Sequence, residues 1–130
     1  MKEGNKLLIP SSDSNLEYPD RTFHVEVLRG GMNRLLLRSN PTAQSGLRIE
    51  IFFMNVAHMS IGTTFEGLAI RDVTDEAPWD DEVWHVRSAR ERRVFELTSR
   101  SGSGRVLAAD VAADESNLGP ADPSSFFMMD

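Results

Sequence analysis

The chain has 130 residues, 40% hydrophobic and 26% charged, with a formal net charge of −6 and no cysteine. That length suits one compact domain burying roughly 68% of its unfolded surface, with no need of staples. The absence of thiols excludes a disulfide framework, thiolate zinc sites and a cysteine nucleophile, and the negative charge opposes nonspecific binding to nucleic acid or to anionic lipid.

Residues 1–20 contain Gly4, Pro10, Ser11, Ser12, Asp13, Ser14 and Pro19, a loop composition that predicts a flexible leader. Its only apolar run, Leu7 to Ile9, is too short for the hydrophobic region of a signal peptide. Nowhere do about 18 apolar residues follow one another, so no segment is expected to span a bilayer and the expected compartment is the cytoplasm. A β domain is predicted over residues 21–113. Phe23, Val25 and Val27 alternate with His24 and Glu26, and the loop Gly30 to Asn33 then leads into Arg34 to Arg38. Two alternating runs divided by a glycine-rich loop read as a hairpin, and His24, Glu26 and the arginines are placed to guard sheet edges.

Gly46 to Val56 is the best candidate for a central strand. Leu47, Ile49, Ile51 and Phe53 fall on one face, while Arg48, Glu50, Phe52 and Met54 fall on the other. The second face begins charged and ends apolar, so the strand is expected to start at a solvated edge and run into a covered region. Met59 to Thr63 reads as a short strand broken by Gly62. Phe65 to Val73 reads as another, with Leu68 and Ile70 opposite Ala69 and Arg71.

Trp79 to Leu97 carries two patterns. Pro78, then Asp80, Asp81 and Glu82, with Arg90, Arg92 and Arg93 near the end, would complement a helix dipole. Val83, Trp84, Val86, Val94, Phe95 and Leu97 form two short β-prone runs around a charged turn, and the two-strand reading is preferred. Arg93 to Ser99 and Arg105 to Ala112 then flank a loop from Arg100 to Gly104, with Ser103 at the hairpin tip. Residues 114–130 read as an irregular tail that docks on the sheet, or presents a binding surface, through Phe126, Phe127, Met128 and Met129. The predicted fold is a single all-β domain with at most one or two short helices: about seven to nine antiparallel strands in a sandwich or partly open barrel.

Chemical signatures are few. His24, His58 and His85 lie far apart with none of the spacings of a metal site. No nucleophile elbow occurs, and Gly102-Ser103-Gly104 lacks the lysine and strand-loop-helix setting of a phosphate loop. No catalytic, cofactor or metal residues are assigned. The strongest functional candidate is the acidic, aromatic stretch from Asp72 to Trp84, from which Asp75, Glu76, Trp79, Asp80, Asp81, Glu82 and Trp84 are taken as partner-binding residues. Carboxylates there would meet a basic patch while the indoles supply anchors; with the indoles turned inward it would be a solvated loop. Arg87, Arg90, Arg92 and Arg93 would bind an anion or, as the simpler explanation at negative net charge, pair internally with these acids.

The run LLLRSNPTAQSGLRIEIFFMNVAHMSIGTTFEGLAIRDV, residues 35–73, resembles small uncharacterised actinobacterial proteins, in which an R-x-[DE]-[IV]-x-F-x-x-V strand precedes G-L-x-I. It is also similar to single-domain immunity proteins of bacterial polymorphic toxin systems. The resemblance implies a small acidic bacterial protein that works by binding another protein, and it carries no catalytic residue. The expected function is therefore a non-enzymatic binding domain, of immunity or regulatory type, for a protein partner of basic charge, with homo-oligomers open and neither nucleic acid nor membrane as partner. The alternatives are a small-molecule-binding barrel, with Phe52, Met54, Met59 and Phe126 to Met129 lining its pocket, and a structural or oligomeric β protein. An enzyme working through His58, His85 or the carboxylates is a further, less favoured reading.

Overall fold

The computed structural model describes residues 4–8, 15–29, 34–42, 46–76, 93–122 and 124. Nine strands run through them: β1 (Gly4–Leu8), β2 (Asn15–Arg29), β3 (Arg34–Ser39), β4 (Arg48–Met54), β5 (His58–Ser60), β6 (Thr64–Asp72), β7 (Arg93–Ser99), β8 (Gly102–Ala108) and β9 (Asp110–Ser116). All join one antiparallel sheet in the order β1-β9-β4-β3-β2-β6-β7-β8-β5. No helix occurs among the described residues, and none there is long and apolar enough to cross a membrane.

Strands near the two ends of that order are covalently linked. β8 runs into β9 through Ala109, and β4 runs into β5 through residues 55–57. At the corner the Ala109 amide donates to the Met54 carbonyl at 2.9 Å, and the Ala57 amide to the Leu107 carbonyl at 2.8 Å. Two bent chains therefore pair along their whole lengths, β4 with β9 and β5 with β8, and the sheet curls around one interior. The β4–β5 side carries one more residue across the corner than its partner, as in a bulge that bends a strand. Asn55 absorbs it with a φ of 55°, a conformation that asparagine tolerates better than most residues.

The interior is filled by every second residue of most strands: Phe23, Leu35 and Leu37, Ile49, Ile51 and Phe53, Phe65 and Ile70, Phe95 and Leu97, Val106, Val111 and Ala113. Phe53 and Phe95 meet edge to face, centroids 5.8 Å apart, a preferred aromatic geometry. Beside this interior Arg21 is buried, and its guanidinium donates to the Ser39 hydroxyl and to the carbonyls of Ser39, Asn40 and Leu47 at 2.7 to 3.2 Å. One side chain thus ties β2 to the end of β3 and the start of β4.

The all-β, single-domain antiparallel reading holds, and β4 is central, between β3 and β9. Four details differ from the sequence expectations. The strands overrun both expected boundaries: β1 and the start of β2 lie within residues 1–20, and β9 continues past 113 to Ser116. Both faces of β4 are buried, because Gly119, Asp122 and Ser124 cover the Arg48 and Glu50 side that was expected to start at a solvated edge. β2 has a neighbour on each side, so His24 and Glu26 guard no edge. The last hairpin turns at Arg100 and Ser101, which places Ser103 inside β8 opposite Thr98. Of the stretch 79–93, only Arg93, the first residue of β7, lies among the described residues.

Candidate protein-docking surface

β6 and β7 are adjacent and antiparallel, with Asp72 opposite Phe95. Strands so placed need a connection of only about two to five residues. Here the connection is the whole of residues 73–92, and it contains both tryptophans, Trp79 and Trp84, with Asp75, Glu76, Asp80, Asp81 and Glu82.

Its root is built as a clamp. The Asp72 carboxylate, 4% exposed, accepts the Thr74 amide at 2.9 Å and the Thr74 hydroxyl at 2.6 Å through Oδ1. Its Oδ2 accepts from the Arg93 guanidinium at 3.2 Å, and Arg93 also donates to Asp110 at 2.7 Å. Arg93 lies over the Phe95 ring, 5.0 Å from its centroid. Two backbone bonds close the base: the Val73 amide to the Val94 carbonyl at 2.8 Å, and the Glu76 amide to the Val73 carbonyl at 2.9 Å. The Val94 amide donates to Thr74 Oγ1 at 2.9 Å, and Val73, Val94 and Leu107 pack together as a small apolar cluster.

Asp75 and Glu76 follow the clamp on the exposed surface. Glu76 pairs with Arg71, which also reaches Glu96 at 3.3 Å. The hydrogen bond that Arg71 donates to Glu76 is the main influence raising its guanidinium above the ordinary range, and exposed pairs of this kind add little stability. Of the sequence-assigned residues, Asp75 and Glu76 thus sit side by side at the root. Trp79, Asp80, Asp81, Glu82 and Trp84 lie outside the described residues, as do His85, Arg87, Arg90 and Arg92. Arg93 pairs internally with an acid of this stretch, as expected for the arginine cluster, and its partner is Asp72. Asp72 thereby separates from its acidic neighbours: it is a buried structural clamp, and the Asp-x-Thr spacing of an Asx turn is the sequence signal that marks it.

Two other places concentrate chemistry. Arg38, Arg48, Glu50 and Asp114 form a buried charged layer on the outer face of β3, β4 and β9. An apolar concavity of about 330 Å³ opens between β2, β3 and β5, lined by Val25, Leu35, Met59 and Ile61. Met59 is the one described member of the expected pocket set that lines it. Phe52 lies on the opposite face of β4 from the core residues Ile51 and Phe53, along with Met54, and Phe126 to Met129 are outside the described residues. His24 pairs with Glu26 at 2.9 Å. Among the described residues no three histidine or acidic side chains gather as a metal site would require. No protein-family model, curated protein or solved structure matches the chain.

Proposed function

We propose that this chain is a non-enzymatic protein-binding domain whose sheet presents the connection 73–92 to a basic protein partner. One observation supports the reading: a long insertion between two strands that need only a turn, rooted on a buried clamp and holding both tryptophans and six carboxylates. Long loops on rigid scaffolds are where binding residues concentrate. The net charge of −6 steers a basic partner toward the chain, and indoles flanked by acids supply the anchor and the rim of an interface. The resemblance to immunity proteins fits this reading, with an acidic cytoplasmic inhibitor and a basic toxin as the pair.

A second reading rests on the concavity beside Met59, whose size and apolar lining suit a small apolar ligand. One experiment separates the two. The chain and its D80K/D81K/E82K variant are used as baits in host lysate at low and high salt, and retained proteins and small molecules are both read by mass spectrometry. The expected outcome is a basic protein held by the unmodified chain at low salt, and retained about tenfold less by the variant, as for charge-steered association. Equal recovery of that protein by both baits would overturn the assignment of the loop. A small molecule recovered with both baits and no protein would establish the second reading.

A further inference from the structure

The register sets the charges on the outer face of β3, β4 and β9 against one another. Arg38 stands opposite Glu50, and Glu50 opposite Asp114, with Arg48 two positions before Glu50 on the same face of β4. Arg48, Glu50 and Asp114 are 0% exposed and Arg38 is 6% exposed. A segment that leaves the end of β9 returns across this face as a strap, described over residues 117–122 and at Ser124. Arg48 donates to the carbonyls of Gly119 at 2.9 Å and Asp122 at 2.8 Å, and Arg38 to that of Pro120 at 3.2 Å. The Ser124 hydroxyl donates to Glu50 Oε1 at 2.9 Å.

Two properties set this contact apart from ordinary core packing. The arginines grip backbone carbonyls, so the face reads the shape of a turn more than its side chains. The strap makes that turn by itself: the Asp122 amide donates to the Gly119 carbonyl at 3.1 Å, and the Gly119 amide to the Asp122 carboxylate at 2.7 Å. The second property is energetic. Arg38 and Glu50, 2.8 Å apart, belong wholly to the sheet and keep each other's charge when the strap lifts. The exposed ions then regain hydration, which offsets much of the lost contact, as it does for buried ion pairs generally. A cover held by carbonyl-to-guanidinium bonds opens at lower cost than a strand whose removal exposes the apolar interior.

We propose that the outer face of β3, β4 and β9 is a peptide-binding surface, occupied in cis by residues 117–122 and Ser124, and that the strap opens ahead of the sheet to admit the same segment from a second copy. The segment NLGPADPS fits because it carries its own turn and presents the carbonyls that the two arginines hold; exchange of an identical element between copies preserves every contact. The inference uses no residue of the connection 73–92 and does not depend on the function proposed for it.

The chain has no cysteine, so a single introduced thiol reports opening without background. In full-length Ser124→Cys and Ala113→Cys variants, both sites being buried, the rate of reaction with a thiol reagent measures exposure of the strap and of the core. The thiol at 124 is expected to react at least about 100-fold faster than that at 113, because sub-global openings precede global unfolding. Addition of the synthetic octapeptide of residues 117–124 is expected to raise the rate at 124 to a plateau and leave that at 113 unchanged. The same peptide with Asp122→Ala, which loses the carboxylate that accepts the Gly119 amide, is expected to act more weakly. Equal rates at 124 and 113 would overturn the opening, and a rate at 124 indifferent to the octapeptide would overturn the binding surface.

Discussion

Tyr18 shows how one side chain of this sheet couples stability to pH. Its ring packs on Phe23 with centroids 5.6 Å apart, and its hydroxyl donates to Glu115 at 3.0 Å. Burial, then the Glu115 charge and the hydrogen bond to it, push the phenol well above its ordinary range. A phenol with a raised folded-state pKa binds its proton more tightly in the folded chain than in the unfolded one. Its contribution is therefore fully present below the unfolded value of about 10 and is lost as pH rises beyond that. The chain has a single tyrosine, so the tyrosinate absorbance band follows this group alone. The native protein is expected to ionise clearly above pH 10 and the urea-unfolded chain near 10, with the decline in stability above pH 10 reduced in Tyr18→Phe. A native midpoint equal to the unfolded one would show that the Glu115 contact does not hold the proton.

Among the elements, β8 approaches the end of β5 closely at Gly104. A Cβ built there would collide with the Ser60 carbonyl oxygen and lie 2.9 Å from Ile61 Cγ2, whereas one on Gly62 meets nothing within 4 Å. Gly104→Ala must push the two strands apart at the closing pair and is expected to cost about 1–3 kcal/mol by urea unfolding, the range of overpacked sites. Gly62→Ala is expected to fall within about 0.5 kcal/mol of the parent; equal effects from the two would contradict the strand contact. The run around Gly104 also marks where the sequence was legible and where it was not. Alternation in Ile49, Ile51 and Phe53 and in Leu68 and Ile70 sufficed to locate β4, β6 and their buried faces. It could not tell that the opposite face of β4 is buried too, because Arg48 and Glu50 look solvated until a segment some seventy residues later supplies the carbonyls and the hydroxyl they hold. For the same reason β1 read as leader: its pairing partner, β9, lies at the other end of the chain. In the candidate site the acidic residues were legible by composition, while the clamp was not, since Asp72 and Arg93 become neighbours only when β6 pairs with β7.

At the scale of the whole molecule, closure decides how the protein unfolds. The bent chains β4–β5 and β8–β9 pair with each other and join the two flanks of the strand order, and Ala109 is the hinge of one bent chain, its amide bonded to the Met54 carbonyl at 2.9 Å. The strands that line the interior cannot leave without exposing Phe53, Phe95 and Val106, so calorimetry should give a single transition with equal calorimetric and van't Hoff enthalpies. Ala109→Pro tests this at its narrowest point, because proline removes the amide hydrogen that closes the corner. The loss of one partly buried backbone bond, leaving the Met54 carbonyl without that donor, should cost about 2–3 kcal/mol. For a chain of this size that lowers Tm by roughly 10 °C. The decisive feature is the shape of the transition: a sheet closed through this corner moves to lower temperature as one unit, while two resolved transitions, or an unchanged Tm, would mean that the corner does not join its halves.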